Sequence, residues 1–170
     1  MGTDTTEILF TRSEPNSVVA AMKRMSAVGD CEGWINLQPL LSDDQAGAVP
    51  EQTSIGAWFS GRGPAVANAT WTPARQGRRF RPSQIGVAHG TGPHALDRLD
   101  EAGAGLPAGW FKRQDHAKHG IVAEVPDTED LARVLDWVLT ACQQLRTVVD
   151  PGEDWVAVVH GFDLSAPTAG

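Results

Sequence analysis

Four of the five histidines in this 170-residue chain fall between residues 72 and 120. Histidine titrates near neutral pH without help, which suits it to acid–base work. Two of the four lie in Asp115-His116-Ala117-Lys118-His119, where a carboxylate close in sequence can orient an imidazole; His89 closes a separate apolar run. His89, Asp115, His116 and His119 are thus the candidate catalytic set, and the chemistry they suggest is that of a small hydrolase or phosphoesterase. A metal centre needs three or four converging ligands. The 115–119 segment supplies at most three, with the Lys118 ammonium among them, and His89, His94 or His160 would have to complete the set. No metal is therefore expected, and no motif specifies a cofactor. Neither cysteine adjoins a histidine, and Gly-x-Ser-x-Gly is absent, so a nucleophilic enzyme has less support.

His89-Gly90-Thr91 resembles the His-x-Thr element of the two-histidine phosphoesterases. That resemblance, which covers one tripeptide, implies a second such element, one histidine as base and the other as acid, and hydroxyls around a phosphate. The partner available at a strand end is His160-Gly161-Phe162, which lacks the hydroxyl.

A second chemistry is anion recognition. Arg75, Arg78, Arg79 and Arg81 lie within seven residues, with Phe80 between two of them. Guanidinium forks match phosphate and carboxylate, and an exposed aromatic ring can stack on a base. Lys112, Arg113 and Lys118 add charge to the same candidate face. Residues 72–120 hold eight basic and four acidic residues, a net of +4, while the rest of the chain holds six and seventeen, a net of −11. The competing account is a solvated loop paired with the chain's own carboxylates, and surface pairs of that kind contribute little.

These residues need elements to carry them. Glu7–Thr11 reads as a strand. Val18, Val19, Met22 and Met25 recur at helical spacing until Gly29, with Ser13 or Asn16 as the cap. Gly33–Leu40 alternates as a half-buried strand. Ile55–Phe59 and Ala65–Trp71 read as two strands joined through Ser60–Pro64, and Thr72–Pro82 as a basic surface loop. Ser83–His89 is a strand, and Leu96, Leu99 and Ala102 mark a short helix begun by Pro93. Asp115–His119 lies on a loop or strand edge ahead of the strand Ile121–Val125. The best helix follows: Leu131, Val134, Leu135, Val138, Leu139, Cys142 and Leu145 make one apolar stripe, with Asp127 as cap and Glu129 and Asp130 in the first turn. Trp155–His160 is the last strand, and Leu164–Gly170 a frayed tail.

The order of elements predicts an α+β fold, a largely antiparallel mixed sheet with about three helices on one face. Gly33-Trp34 and Gly109-Trp110 mark two halves that would make it a ferredoxin-like duplication. Residues 1–170 are expected to form a single domain with short disordered tails. No stretch is long and apolar enough to span a bilayer, and the first residues lack a secretory pattern. Two distant cysteines suit a reducing, cytoplasmic setting. A formal net charge of −7 does not favour nucleic acid, which stays possible. The expectation is a binding domain that recognises an anionic ligand through the central Arg/His-rich segment: a phosphorylated small molecule, a nucleic acid or an acidic protein surface. The alternatives are the histidine hydrolase above and a protein–protein adaptor.

Overall fold

A computed structural model describes residues 5–44, 64, 66–147 and 150–166. The elements in chain order are β1 (Thr5–Thr11), α1 (Asn16–Val28), β2 (Trp34–Pro39), β3 (Asn68–Thr72), β4 (Ser83–Ala88), α2 (Ala95–Glu101), β5 (Phe111–His116), β6 (Gly120–Val125), α3 (Leu131–Gln144) and β7 (Asp154–His160). The expected strand Ile55–Phe59 and most of its joint to the next lie outside the described residues.

The seven strands form one sheet in the order β1-β7-β2-β3-β4-β6-β5, with every neighbouring pair antiparallel. Successive side chains on a strand point to opposite faces, so direct pairing lines up one row per face. Ile8, Ala157, Leu37, Ala69, Val87 and Ile121 follow one another across six strands. All but Ile8 in that row are fully buried, and Trp71, Ile85, Trp155 and Val159 join them in one core. The helices cover this face. The α3 stripe Val134, Leu135, Val138, Leu139 and Cys142 is buried as its spacing requires. In α1, Val18, Val19, Met22 and Met25 are buried, and Gly29 ends the helix at φ 80°, a left-handed turn that a residue without Cβ adopts freely. The α+β class is therefore as expected.

Four details differ from the sequence reading. The N-cap of α3 is Asp130, whose carboxylate accepts from the Ala132 amide, rather than Asp127. Residue 15, a proline, caps α1 without a side-chain bond, so neither Ser13 nor Asn16 serves. Phe111–His116 is a full strand at the sheet edge; polar on both faces, it lacks the alternation that marks a half-buried strand. Part of the expected frayed tail is held, because Arg24 donates to the carbonyls of Leu164 and Ala166.

The connectivity does not confirm the ferredoxin-like duplication. β1-α1-β2 straddles β7, and β4-α2-β5 straddles β6, so there are two split β-α-β units. The gap in the second is filled by the next strand of the chain, but the gap in the first is filled by the last of the seven. Two copies of one unit would fill both gaps in the same way.

Candidate functional site

The inward alternation Ser83, Ile85, Val87 of β4 carries on to His89, so this imidazole enters the core and is fully buried. Its Nδ1 accepts from the Thr91 amide (3.3 Å) and lies 2.9 Å from the Thr91 hydroxyl. Arg98 donates to that hydroxyl oxygen at 2.6 Å, which leaves the hydroxyl hydrogen for Nδ1. The ring proton then sits on Nε2, which has no partner among the described residues. Burial lowers the His89 pKa, the Asp115 charge opposes that shift, and the Arg98 charge adds to it. The His-x-Thr element thus holds a neutral histidine, with its hydroxyl already engaged by His89 and Arg98.

Asp115 lies opposite Ile121 and faces inward. Its two oxygens accept from the Ala95 and Leu96 amides at 3.2 and 3.0 Å. It therefore caps α2, whose own N-cap residue, His94, has left-handed backbone and makes no side-chain cap bond. Pro93 lies before the helix, not in it. His116 and His119 are exposed at the β5–β6 hairpin, stacked with centroids 4.7 Å apart. The His116 Nδ1 closes that turn by accepting from the Lys118 and His119 amides.

His89 and Asp115 thus share one corner under α2, next to the hairpin, but His116 and His119 point to solvent while the His89 ring is buried. His160 is farther off. It pairs with Trp34 at the start of β2 and lies on the sheet face opposite the described helices. His89 follows Ala88, which pairs with Asn68 at the start of β3, on the covered face. β2 and β3 are antiparallel, so the two histidines occupy opposite ends and opposite faces. Among the described residues, no three His, Cys, Asp or Glu side chains are placed to hold a metal ion.

The basic residues divide into two groups. Arg75 and Arg81 exchange backbone hydrogen bonds (2.8 and 3.0 Å), which closes a turn. Arg78, Arg79 and Phe80 stand exposed at its tip. The turn is docked on the α1–β2 connection through Arg75–Glu32 (2.8 Å) and the bond from the Gln76 amide to the Gly29 carbonyl. Arg81 has a buried Nε without a partner among the described residues. Lys112 and Arg113 start β5 at this same end, since β4 starts opposite the end of β6 and Phe111 pairs with Glu124. Arg113 is bound to Glu124 at 2.8 Å and lies over the Phe111 ring. Lys118 lies at the hairpin, at the far end of the strand. At about 3.3 Å per residue, Lys112 and His116 are already roughly 13 Å apart.

The sheet face opposite the described helices holds a constellation that the sequence reading missed. Thr70 donates to the Asn36 Oδ1 at 2.9 Å, so the Asn36 amide nitrogen faces the His160 Nε2 at 3.0 Å and donates to it. The His160 proton therefore rests on Nδ1. Trp34 stacks on His160 with centroids 4.9 Å apart. The alternation in Trp34-Ile35-Asn36 was visible and puts Trp34 and Asn36 on one face. That β7 and β3 would flank them was not.

No family model, curated protein or solved structure matches the chain. Function must be read from these side chains. Both cysteines are free and buried, and burial raises both thiols, that of Cys142 to about 12. No helix among the described residues is long and apolar enough to cross a membrane. A cavity of about 360 Å³ lies between the arginine turn and the start of α3, but Asp127, Glu129 and Asp130 line it against the single Lys23. That lining repels an anion.

Proposed function

We propose that the protein is a binding domain for an anionic partner, with the Arg75–Arg81 turn as the contact. One observation carries this reading: Arg78 and Arg79 stand exposed at the tip of a pinned turn and pair with no carboxylate among the described residues, in a chain with 21 acidic residues. Arg75 is engaged by Glu32 and Arg113 by Glu124, so among the described residues the account in which the chain pairs its own charges covers those two arginines and not Arg78 or Arg79. Exposed Phe80 beside them offers a flat apolar contact of the kind that stacks on a base. Lys112 extends the charge at this end of the sheet; Lys118, His116 and His119 form a separate patch. The partner is a phosphorylated small molecule, a single-stranded nucleic acid or an acidic protein surface. A reducing, cytoplasmic setting suits the unpaired thiols.

The test is titration with a single-stranded oligonucleotide and a panel of phosphorylated small molecules at two salt concentrations. Binding should weaken steeply with salt, and Arg78→Ala with Arg79→Ala should weaken it and flatten the slope by about two contacts. Arg133 and Arg146, bound to Glu129 and Asp150, are the controls. Equal loss on changing them, or no binding anywhere in the panel, ends the reading.

A further inference from the structure

The corner under α2 holds a buried titratable group that anion binding does not use. His89 follows the end of β4, away from the arginine turn at its start, and is fully buried. Its Nδ1 serves as an acceptor for the amide and the hydroxyl of Thr91, and Arg98 sets the direction of that hydroxyl by donating to its oxygen. Its Nε2 meets no partner among the described residues. The ring is held by donors, and the arrangement fits its neutral form alone.

The same side chains fasten α2. A helix of seven residues is too short to be stable by itself, and this one packs on β5 and β6, the last two strands in the sheet order. Asp115 accepts from its first amides. Arg98 ties it back to the loop before it, donating to the Pro93 carbonyl at 2.6 Å and the Gly92 carbonyl at 3.3 Å as well as to the Thr91 hydroxyl. Ala95 and Leu99 are its buried residues.

We infer that His89 is an acid-sensitive latch: protonation of its ring releases α2 from the sheet while the rest of the core holds. The incoming proton must go to Nδ1, because Nε2 already carries one. The new N–H then faces the Thr91 amide hydrogen, and the Thr91 oxygen that could accept it already takes the Arg98 donor. A buried charge also needs a counter-charge. The carboxylate that acts on His89 is that of Asp115, and the Arg98 cation opposes it. If Asp115 turns to the imidazolium, the Ala95 and Leu96 amides lose their acceptor. If the imidazolium leaves for water, Thr91 and the Arg98 tie go with it. Both routes free the start of α2 and bare Ala95 and Leu99. The other neighbouring elements offer no competing charge. β3 has no titratable residue, and Glu124 of β6 lies at the far end of its pairing with β4. Arg133 and Asp136 of α3 are exposed and paired elsewhere. On α2, Asp97 pairs with exposed His94, and Asp100 and Glu101 are exposed, as are His116, Lys118 and His119 on the hairpin.

The experiment follows amide hydrogen exchange in the full chain from pH 7.5 to 5, corrected for the intrinsic rate at each pH, with the His89 ring resonances recorded over the same range. The closed corner resists a proton that the freed ring takes near its reference value of about 6.5, so release grows as the pH falls. Protection of residues 95–101 should drop by about fivefold or more, while α1 and α3 keep theirs. His89→Gln, which cannot titrate, should abolish the drop. His94 is the other histidine at this helix start; it has left-handed backbone, which asparagine tolerates, so His94→Asn should fold and leave the drop intact. If His89→Gln does not fold, the native chain decides: ring titration and loss of protection must share one midpoint. The inference is overturned if residues 95–101 stay protected at pH 5, if α1 and α3 lose protection equally, if folded His89→Gln still releases the helix, if the two midpoints differ, or if His94→Asn removes the effect.

Discussion

Removing the Asp115 carboxylate should unfasten α2 rather than disable a reaction. This seven-residue helix begins at Ala95 after a histidine that makes no cap bond, and its first amides are satisfied from β5, about twenty residues later in the chain. Two bonds to a half-buried carboxylate, at about 1 kcal/mol net each, put the loss in Asp115→Ala near 2 kcal/mol, at the upper end of what a lost cap costs. Asp115→Asn keeps one acceptor oxygen and should lose about 1 kcal/mol. With a urea m-value of about 2 kcal/mol per molar, the alanine variant's midpoint should fall by about 1 M and the asparagine variant's by about half that. Hydrogen exchange should localise the change, with the amides of residues 95–101 losing protection before those of α1 or α3. A midpoint shift below about 0.3 M in Asp115→Ala, or equal damage from both variants, would refute the argument.

Two further outcomes follow from the core. Leu135 is 1% exposed in the α3 stripe, so Leu135→Ala should cost about 2–5 kcal/mol in equilibrium denaturation, and a loss below 1 kcal/mol would mean the stripe is not packed on the sheet. Burial lowers the His89 pKa from 6.5, so the unfolded chain takes up the proton first. Stability should be complete above about pH 6.5 and decline as the pH falls toward the folded-state value. His89→Gln should remove that part of the slope in Tm measured from pH 7.5 to 5, and an unchanged slope would show that the ring does not titrate in this window.

How much could be read beforehand varied with the range of the interactions involved. The α3 stripe and the alternation of β2 and β4 are local patterns, and they stood where their spacing put them. The start of α3 was harder, because Asp127, Thr128, Glu129 and Asp130 are all of capping or first-turn type. Asp130 wins by reaching the Ala132 amide, while Glu129 is drawn to the Trp110 indole at 2.9 Å. β5 was missed because an edge strand needs no apolar face. Asp115 and His89 were singled out for chemistry because sequence shows residue type and not partner. One caps a helix far along the chain, and the other lies in the core. The Thr70–Asn36–His160 chain, assembled by register across three strands, leaves no local signature.

The place of β7 bears on how the chain reaches this state. The last of the seven described strands in chain order, it is inserted between the first two, so β1 and β2 both lack this neighbour until β7 arrives. Its pairing with β1 joins distant stretches of the chain, Thr5 with His160 and Thr11 with Asp154. Such high contact order goes with slow folding, and a nascent chain waiting for β7 exposes two unpaired strand edges that other chains could occupy. In the folded chain the Arg12 side chain, bonded to Asp136, Thr140 and Gln143 of α3, fastens the strand-one corner to the last helix.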